Sequence, residues 1–148
     1  MLPDRRGITE ITELPMVNNV TQFNIGEILV SNIRPYFKKI WLSTFNGGCS
    51  NDVLCFSPIA NVLPVHLYFM LERNTFFYYV MAGSNGVKMP RGDKEWIMLY
   101  PIVLANNKTL NEFNKILLPF LDFKNKKNSE LLYLNQLLDI LLLKLATI

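Results

Sequence analysis

The most informative stretch of this sequence is Gly26-Glu27-Ile28-Leu29-Val30-Ser31-Asn32-Ile33-Arg34-Pro35. Its apolar and β-branched centre is bounded by a glycine and a proline, which predicts a β-strand over 27–34. Because Arg34 is the last residue before the proline, the strand should present a cation at its tip. Two polar blocks that contain glycine follow farther along the chain: Gly48-Cys49-Ser50-Asn51-Asp52-Val53 and Gly83-Ser84-Asn85-Gly86-Val87-Lys88.

The composition is that of one folded domain with, at most, an appendage. The chain has 148 residues, of which 50% are hydrophobic and 12% are aromatic, so a real core is expected. The net charge is +3 and the isoelectric point is about 8.9. This charge is compatible with DNA binding but does not demand it. Because acidic residues are interspersed, any basic surface has to be local.

The side chains that usually carry catalysis or bind metals are scarce or scattered. Cys49 and Cys55 are too few for a zinc site, and a disulfide between them is not expected in a cytosolic protein. Cys55 lies in an apolar run and is interpreted as a buried small hydrophobe. The single histidine, His66, has no catalytic partner nearby and is expected to be structural. No carboxylate pair or glycine-rich cofactor loop is present, so neither catalysis nor a cofactor is predicted.

The remaining segments predict strands first and helices later. Strands are predicted over 40–45, 52–56 and 96–104, a turn over 46–48, a helix beginning at Pro64, and a polar loop over 83–93. The segment 74–81 stays open, because its run of aromatic residues has strong strand propensity while Asn74 and Thr75 are suited to cap a helix.

The C-terminal region has the apolar spacing of helices. Its last part carries the leucine seam, defined as Leu131, Leu134, Leu138, Leu141 and Leu145. The same heptad register holds Leu110, Phe113, Leu117 and Phe120 earlier in the chain. The polar segment 124–128 breaks this pattern, either as a turn between two helices or as a weak point in one. Pro119 should kink or start a helix. Charged and amide side chains in the tail exclude a membrane span.

Two groups of side chains are candidates for DNA binding. The first follows the strand tip and comprises Arg34, Tyr36, Lys38 and Lys39; the second lies in the polar loop and comprises Ser84, Asn85, Lys88 and Arg91. Arginine can form bidentate contacts with guanine, and lysine can neutralise phosphates. An ordinary solvated turn is the alternative for the first group, and a plain surface connection is the alternative for the second.

The order of these blocks resembles one target-recognition domain of the specificity subunits of type I restriction-modification systems. The strand 26–35, the turn 47–50, Tyr68–Leu71 and the loop beginning Gly83-Ser84 match the family's pattern in order. Glu130, Leu134, Leu137, Asp139, Leu141, Leu142, Lys144 and Leu145 match the end of its helical segment. The chain departs from the family at Leu131, Leu138 and Leu143, and it lacks the opening element of the domain.

The resemblance implies a non-catalytic, cytoplasmic, prokaryotic protein of the α/β (α+β) class. A mixed-sheet DNA target-recognition domain is expected over 1–104 and a helical spacer over 105–148. Because full-length subunits carry two recognition domains, this chain is similar to a half subunit. Its expected partners are double-stranded DNA, methyltransferase and restriction subunits, and a second copy or a second recognition domain bound through the leucine seam. The alternative is an assembly or regulatory module that binds modification subunits without reading DNA.

Overall fold

The computed structural model describes residues 1–9, 19–59 and 62–146. The strands in these ranges are β1 (Thr21–Phe23), β2 (Ile28–Ser31), β3 (Ile40–Leu42), β4 (Gly47–Cys49), β5 (Val53–Phe56), β6 (Ser84–Asn85) and β7 (Arg91–Gly92). The helices are α1 (Pro64–Leu71), α2 (Asn74–Ala82), α3 (Lys94–Met98) and α4 (Asn107–Ala146), and a 3₁₀ turn spans Pro35–Phe37. Each strand pair in the described ranges is antiparallel, and the expected α+β class is confirmed.

The central sheet has the order β3-β2-β5. Its middle strand, β2, places Leu29 opposite Trp41 of β3 and opposite Cys55 of β5. Because side chains alternate along a strand, Ile28 and Val30 enter the main hydrophobic core, whereas Leu29 enters a second, smaller core. The strand that the sequence predicted first is therefore confirmed in its centre, and both of its faces are buried.

Helices α1 and α2 contribute most of the remaining main core. α1 begins with the proline that predicted it. In α2, Phe76, Phe77 and Val80 are at most 1% exposed, whereas Tyr78 is 65% exposed. This spacing buries one face of a helix, while a strand would have put Phe76, Tyr78 and Val80 on the same side. The choice that the sequence left open between helix and strand is therefore resolved as helix, because burial outweighs local propensity.

The strand predicted over 96–104 is wrong. Its first residues belong to α3, and the rest, up to the start of α4, has no regular structure. The physical reason lies just before the helix, where the Asp93 carboxylate accepts a hydrogen bond of 3.0 Å from the backbone N–H of Trp96. That contact caps the first turn. Pro101 cannot donate a backbone hydrogen bond to a sheet, and it lies in the irregular part.

The turn predicted over 46–48 is wrong in position, since the bend between β3 and β4 lies at 44–45. Gly47 and Gly48 lie in β4, which pairs with β1. A Cβ atom on Gly47 would approach the Phe23 ring to 2.8 Å, and one on Gly48 would approach Val20 to 2.9 Å. These glycines therefore permit close strand packing rather than a turn.

Helix α4 is continuous from Asn107 to Ala146. Of the two alternatives for 124–128, the turn between two helices is excluded, and Pro119 lies inside the helix. Proline removes one backbone hydrogen bond, but Leu110 and Leu121, on either side of it, are each 4% exposed. Packing of this first half on α1 holds the helix together across the proline. Among the described residues, no helix has both the length and the apolarity needed to cross a membrane.

Candidate nucleic-acid interface

Three segments that are distant in sequence meet beyond the tip of β2. Ile33 forms an isolated antiparallel bridge with Arg91, and the backbone N–H of Arg34 donates to the carbonyl oxygen of Pro90 at 2.8 Å. Asn85 pairs with Arg91 in the β6–β7 hairpin. Arg34, Asn85 and Arg91 are all exposed. The strand tip and the polar loop therefore form one edge. The two groups of candidate DNA-binding residues, which are separate in the sequence, meet there.

A buried asparagine joins these segments to the β4–β5 turn. Asn32 is 6% exposed, and its backbone N–H donates to the carbonyl oxygen of Asp52 at 2.7 Å. Its side-chain amide donates to the carbonyl oxygen of Gly92 at 3.0 Å, and its own carbonyl accepts from the Gly92 N–H at 3.1 Å. Sequence reasoning missed this role; the signal was an amide residue between the apolar residues Val30 and Ile33.

Gly92 is required at this junction for steric reasons. A Cβ atom there would lie 2.7 Å from Asn32 Oδ1, 2.7 Å from Ile97 Cδ1 and 2.9 Å from Val80 Cγ1. Real Cβ atoms do not approach neighbours so closely in packed interiors. The glycine therefore lets the hairpin approach the strand tip and sets the position of the neighbouring Arg91.

Arg91 has a partner within the chain. Its guanidinium forms a salt bridge of 3.1 Å with the Asp52 carboxylate, and the two side chains are 56% and 39% exposed. An exposed pair of this kind contributes little to stability. The salt bridge instead fixes the position of the Arg91 guanidinium at the edge. A DNA phosphate or base that binds Arg91 would have to displace the Asp52 carboxylate.

Two cations flank the 3₁₀ turn in an unusual backbone conformation. Arg34 and Lys38 have φ angles of 49° and 50°, in the left-handed region that L-residues rarely adopt. The N-terminal segment holds this geometry, since Asp4 and Arg5 donate backbone hydrogen bonds to the carbonyls of Phe37 and Lys38. Strain of this kind is found at functional sites more often than elsewhere.

The other residues of the first group lie around the same turn. Tyr36 is 46% exposed. The Lys38 ammonium lies 5.8 Å from the centre of the Tyr78 ring, and the Lys39 ammonium lies 5.8 Å from that of Phe37. These cation–π contacts hold the ammonium groups over aromatic faces. The side chains of the two lysines are therefore held against aromatic rings rather than extending freely into solvent.

The second group divides into structural and exposed members. The Ser84 hydroxyl donates to the carbonyl oxygen of Met81 at 2.8 Å and so caps the end of α2. Asn85 and Lys88 are exposed, at the end of β6 and in the following loop. Ser84 therefore has a local structural contact, whereas Asn85, Lys88 and Arg91 present their side chains outward.

Arg5 is a second residue that sequence reasoning missed. Its Nε donates to the carbonyl oxygen of Glu72 at 2.6 Å, and its guanidinium also contacts the side chain of Asn74. It lies 5.7 Å from the centre of the Phe77 ring. Arg5 thus ties the N-terminal segment to the junction of α1 and α2. No sequence pattern marked it, because these partners lie more than sixty positions away.

The leucine seam is half-exposed. Its members are exposed by 45% at Leu131, 56% at Leu134, 53% at Leu138, 50% at Leu141 and 69% at Leu145. Tyr133, Leu137 and Ile140 are also exposed, but by helical periodicity they form a second apolar strip on an adjacent side of α4. A helical face this apolar and this exposed is typical of a surface that packs against another helix.

The one histidine, which could have been catalytic, makes packing and hydrogen-bond contacts that hold elements of the fold together. His66 is 8% exposed, its Nε2 is 3.0 Å from the carbonyl oxygen of Val103, and its ring packs edge-on to Phe113. Among the described residues, no three His, Cys, Asp or Glu side chains are grouped as metal ligands would be. His66 therefore joins α1 to α4 and the irregular segment before it, as the expectation of a structural histidine requires.

Comparison with known proteins finds a similarity between part of this chain and part of a longer protein. No protein-family model matches the chain. Over 97 residues, 65% of its length, the chain is 28% identical to the type I restriction enzyme EcoDI specificity subunit of Escherichia coli. The match spans 21% of that relative. The similarity is therefore to about a fifth of a specificity subunit, and it supports the resemblance seen in the sequence.

Proposed function

We propose that this chain recognises a specific DNA sequence as a half specificity subunit of a type I restriction-modification system. It is not itself an enzyme, and it directs methyltransferase and nuclease subunits to that sequence in the prokaryotic cytoplasm. The recognition domain is residues 1–104, and 105–148 is the helical spacer. The similarity to a specificity subunit supports this assignment.

The observation that carries the proposal is the meeting of Arg34, Asn85 and Arg91 at one exposed edge. Arginine is suited to guanine and asparagine to adenine in the major groove, because each side chain can form two hydrogen bonds to the base edge. These residues, with a smaller contribution from Ser84, are the proposed base contacts. Buried Asn32 fixes the backbone beneath them, so the side chains start from defined positions.

Phosphate contacts come from the lysines around this edge. Lys38 and Lys39 follow the 3₁₀ turn beside Tyr36, and Lys88 lies in the β6–β7 loop. Phosphate contacts position a protein on the duplex without carrying sequence information. The arrangement therefore separates a central group for base recognition from flanking cations that supply affinity.

The leucine seam is the proposed attachment surface. It packs on the spacer helix of a second copy, or of a second recognition domain, and sets the distance between two recognition domains. Two-fold symmetry then requires an inverted, split DNA site. Tyr133, Leu137 and Ile140 would remain exposed in that arrangement, and a modification subunit could bind them beside the second helix.

The deciding experiment is selection from a random duplex DNA pool by this chain together with the modification subunit of its host. Enrichment of a split, inverted-repeat site is expected. The control is the modification subunit alone, which should enrich no sequence. A stable protein complex that enriches nothing would contradict DNA recognition by this chain.

A second candidate function is an assembly module without DNA readout. The salt bridge between Arg91 and Asp52 favours it, because one of the proposed base contacts is already neutralised within the chain. The exposed seam would then be the functional surface. Tight binding to the modification subunit, together with weak DNA binding that does not depend on salt, would support this candidate.

A further inference from the structure

Two thiols that are separated in the sequence lie side by side in the fold. The sulfur atoms of Cys49, in β4, and Cys55, in β5, are 3.6 Å apart. Both residues are free thiols of intermediate exposure, and both pack on the second core. In the described sheets, β4 pairs with β1 and β5 pairs with β2. The short turn 50–52 and packing on the second core, rather than strand pairing, therefore bring the two sulfurs together.

Both thiols can be reached from solvent. Cys49 lines a cavity of about 780 Å³ between the second core and α4, and the Cys55 sulfur lies against that of Cys49 on the same core. The cavity is larger than a small peroxide needs, and both residues are partly exposed. A small oxidant can therefore reach the pair without unfolding of the core.

We infer that Cys49 and Cys55 form an oxidisable pair that a hydroperoxide converts to an intramolecular disulfide. The Cys49 thiolate attacks one peroxide oxygen, the O–O bond breaks, and the other oxygen leaves as water, or as an alcohol from an organic peroxide. The resulting sulfenic acid is attacked by the Cys55 sulfur, which forms the S–S bond and releases the second oxygen as water. Two thiols lose two hydrogen atoms in total, and one hydroperoxide is reduced.

The positions of the two sulfur atoms permit closure of the disulfide. A disulfide has a sulfur–sulfur distance of about 2.0 Å, so the sulfurs must approach by about 1.6 Å, which side-chain rotation can supply. Burial, and then the hydrogen bond with Cys49, raise the pKa of the Cys55 thiol to about 12. Cys55 is therefore the poorer first nucleophile.

Closing the disulfide encloses the turn 50–52 in a covalent ring. The carbonyl oxygen of Asp52 accepts the Asn32 N–H, and its carboxylate pairs with Arg91. The backbone N–H of Val53 donates to Ser50 at 2.9 Å across the same turn. Oxidation is therefore expected to slow hydrogen exchange at the Asn32 and Val53 amides by about tenfold or more, since local opening of the turn becomes rarer.

The test is the thiol–disulfide equilibrium with glutathione, measured by alkylation and mass spectrometry on folded and urea-unfolded chain. The folded chain is expected to favour the disulfide by at least about tenfold over the unfolded chain, which corresponds to about 30 mV for a two-electron couple. Hydrogen peroxide should then remove two hydrogen atoms per folded chain, and Cys49→Ser or Cys55→Ser should abolish that product. An equilibrium constant no larger in the folded chain, or disulfides only between chains, would overturn the inference. Neither readout depends on DNA.

Discussion

The Lys124 ammonium in α4 forms a salt bridge with the Glu72 carboxylate at the end of α1. The Tyr68 hydroxyl donates to the same carboxylate at 3.2 Å and lies 3.3 Å from the ammonium. The side chains of Lys124 and Glu72 are only 24% and 14% exposed. In the heptad pattern this lysine was a polar interruption of the apolar face. In the fold it turns inward and joins α4 to α1.

The pH dependence of stability should report this contact. Burial, and then the nearby Arg5 guanidinium, lower the pKa of Lys124 to about 8, against the opposing attraction of Glu72. An unfolded lysine titrates near about 10.4. Between these values the unfolded chain binds more protons than the folded one, so stability rises with pH in this window. Relative to Lys124→Met, the wild type should gain roughly 1–3 kcal/mol between about pH 7 and pH 10.

The measurement is urea unfolding of both proteins across that pH range. Lys126→Met is the matched control, because Lys126 is an exposed lysine on the same helix, and its pH profile should parallel that of the wild type. Tyr68, whose pKa burial raises to about 12, stays neutral throughout the range. Parallel profiles for wild type and Lys124→Met would contradict the assigned burial of this lysine.

Gly92→Ala should weaken both the fold and the candidate interface. The added methyl group would clash with Asn32, Val80 and Ile97, and overpacking of this kind typically costs about 1–3 kcal/mol. Urea unfolding measures the loss. The control Asn85→Ala, at an exposed position of the same hairpin, should change stability by less than about 0.5 kcal/mol. Equal stability of Gly92→Ala and wild type would show that the junction has room for a side chain.

Arg34 and Lys38 should differ in what their loss does to DNA binding. Both have left-handed backbone conformations, which asparagine tolerates better than alanine, so asparagine is the suitable replacement. Arg34→Asn should lose about 1–3 kcal/mol of sequence discrimination with little change in salt dependence. Lys38→Asn should weaken binding to all duplexes and lower the salt slope by about one.

Titration of a selected site and a scrambled duplex at several salt concentrations separates these two effects. The scrambled duplex is the internal control for binding that does not depend on sequence. If the two variants behave alike, the division of the edge into base-contacting and phosphate-contacting residues is wrong.

Leu138→Lys should prevent association through the leucine seam without unfolding the chain. Leu138 is 53% exposed, so the change costs the single chain little, whereas a lysine in a helix–helix interface is unfavourable. The dissociation constant for a second copy or a modification subunit should rise at least about tenfold. Sedimentation and pull-down experiments measure this, with Asn135→Lys as the control of equal charge change at an exposed polar position. Unchanged association would exclude the seam as the contact surface.

The parts of the fold that were predictable have strong local signals. The strand at β2 followed from its apolar run, and α1 followed from its initial proline and the apolar residues behind it. α2 was not decidable locally, since Asn74 and Thr75 favoured a helix whereas its aromatic residues favour strands; in the fold no side chain caps the helix. The segment 96–104 was mispredicted because the Asp93 cap outweighed its apolar composition.

The candidate site was predictable only as a set of residue types. The order of residue types already showed that cations and amides follow the β2 strand and recur in a glycine-rich loop, because composition and periodicity are local properties. That these segments form one edge follows from the folding of the chain in three dimensions. The Asn32–Gly92 hydrogen bonds and the Arg91–Asp52 salt bridge both depend on how strands are ordered and packed. Sequence spacing does not encode such contacts, since they arise from burial of the two cores that bring distant segments together.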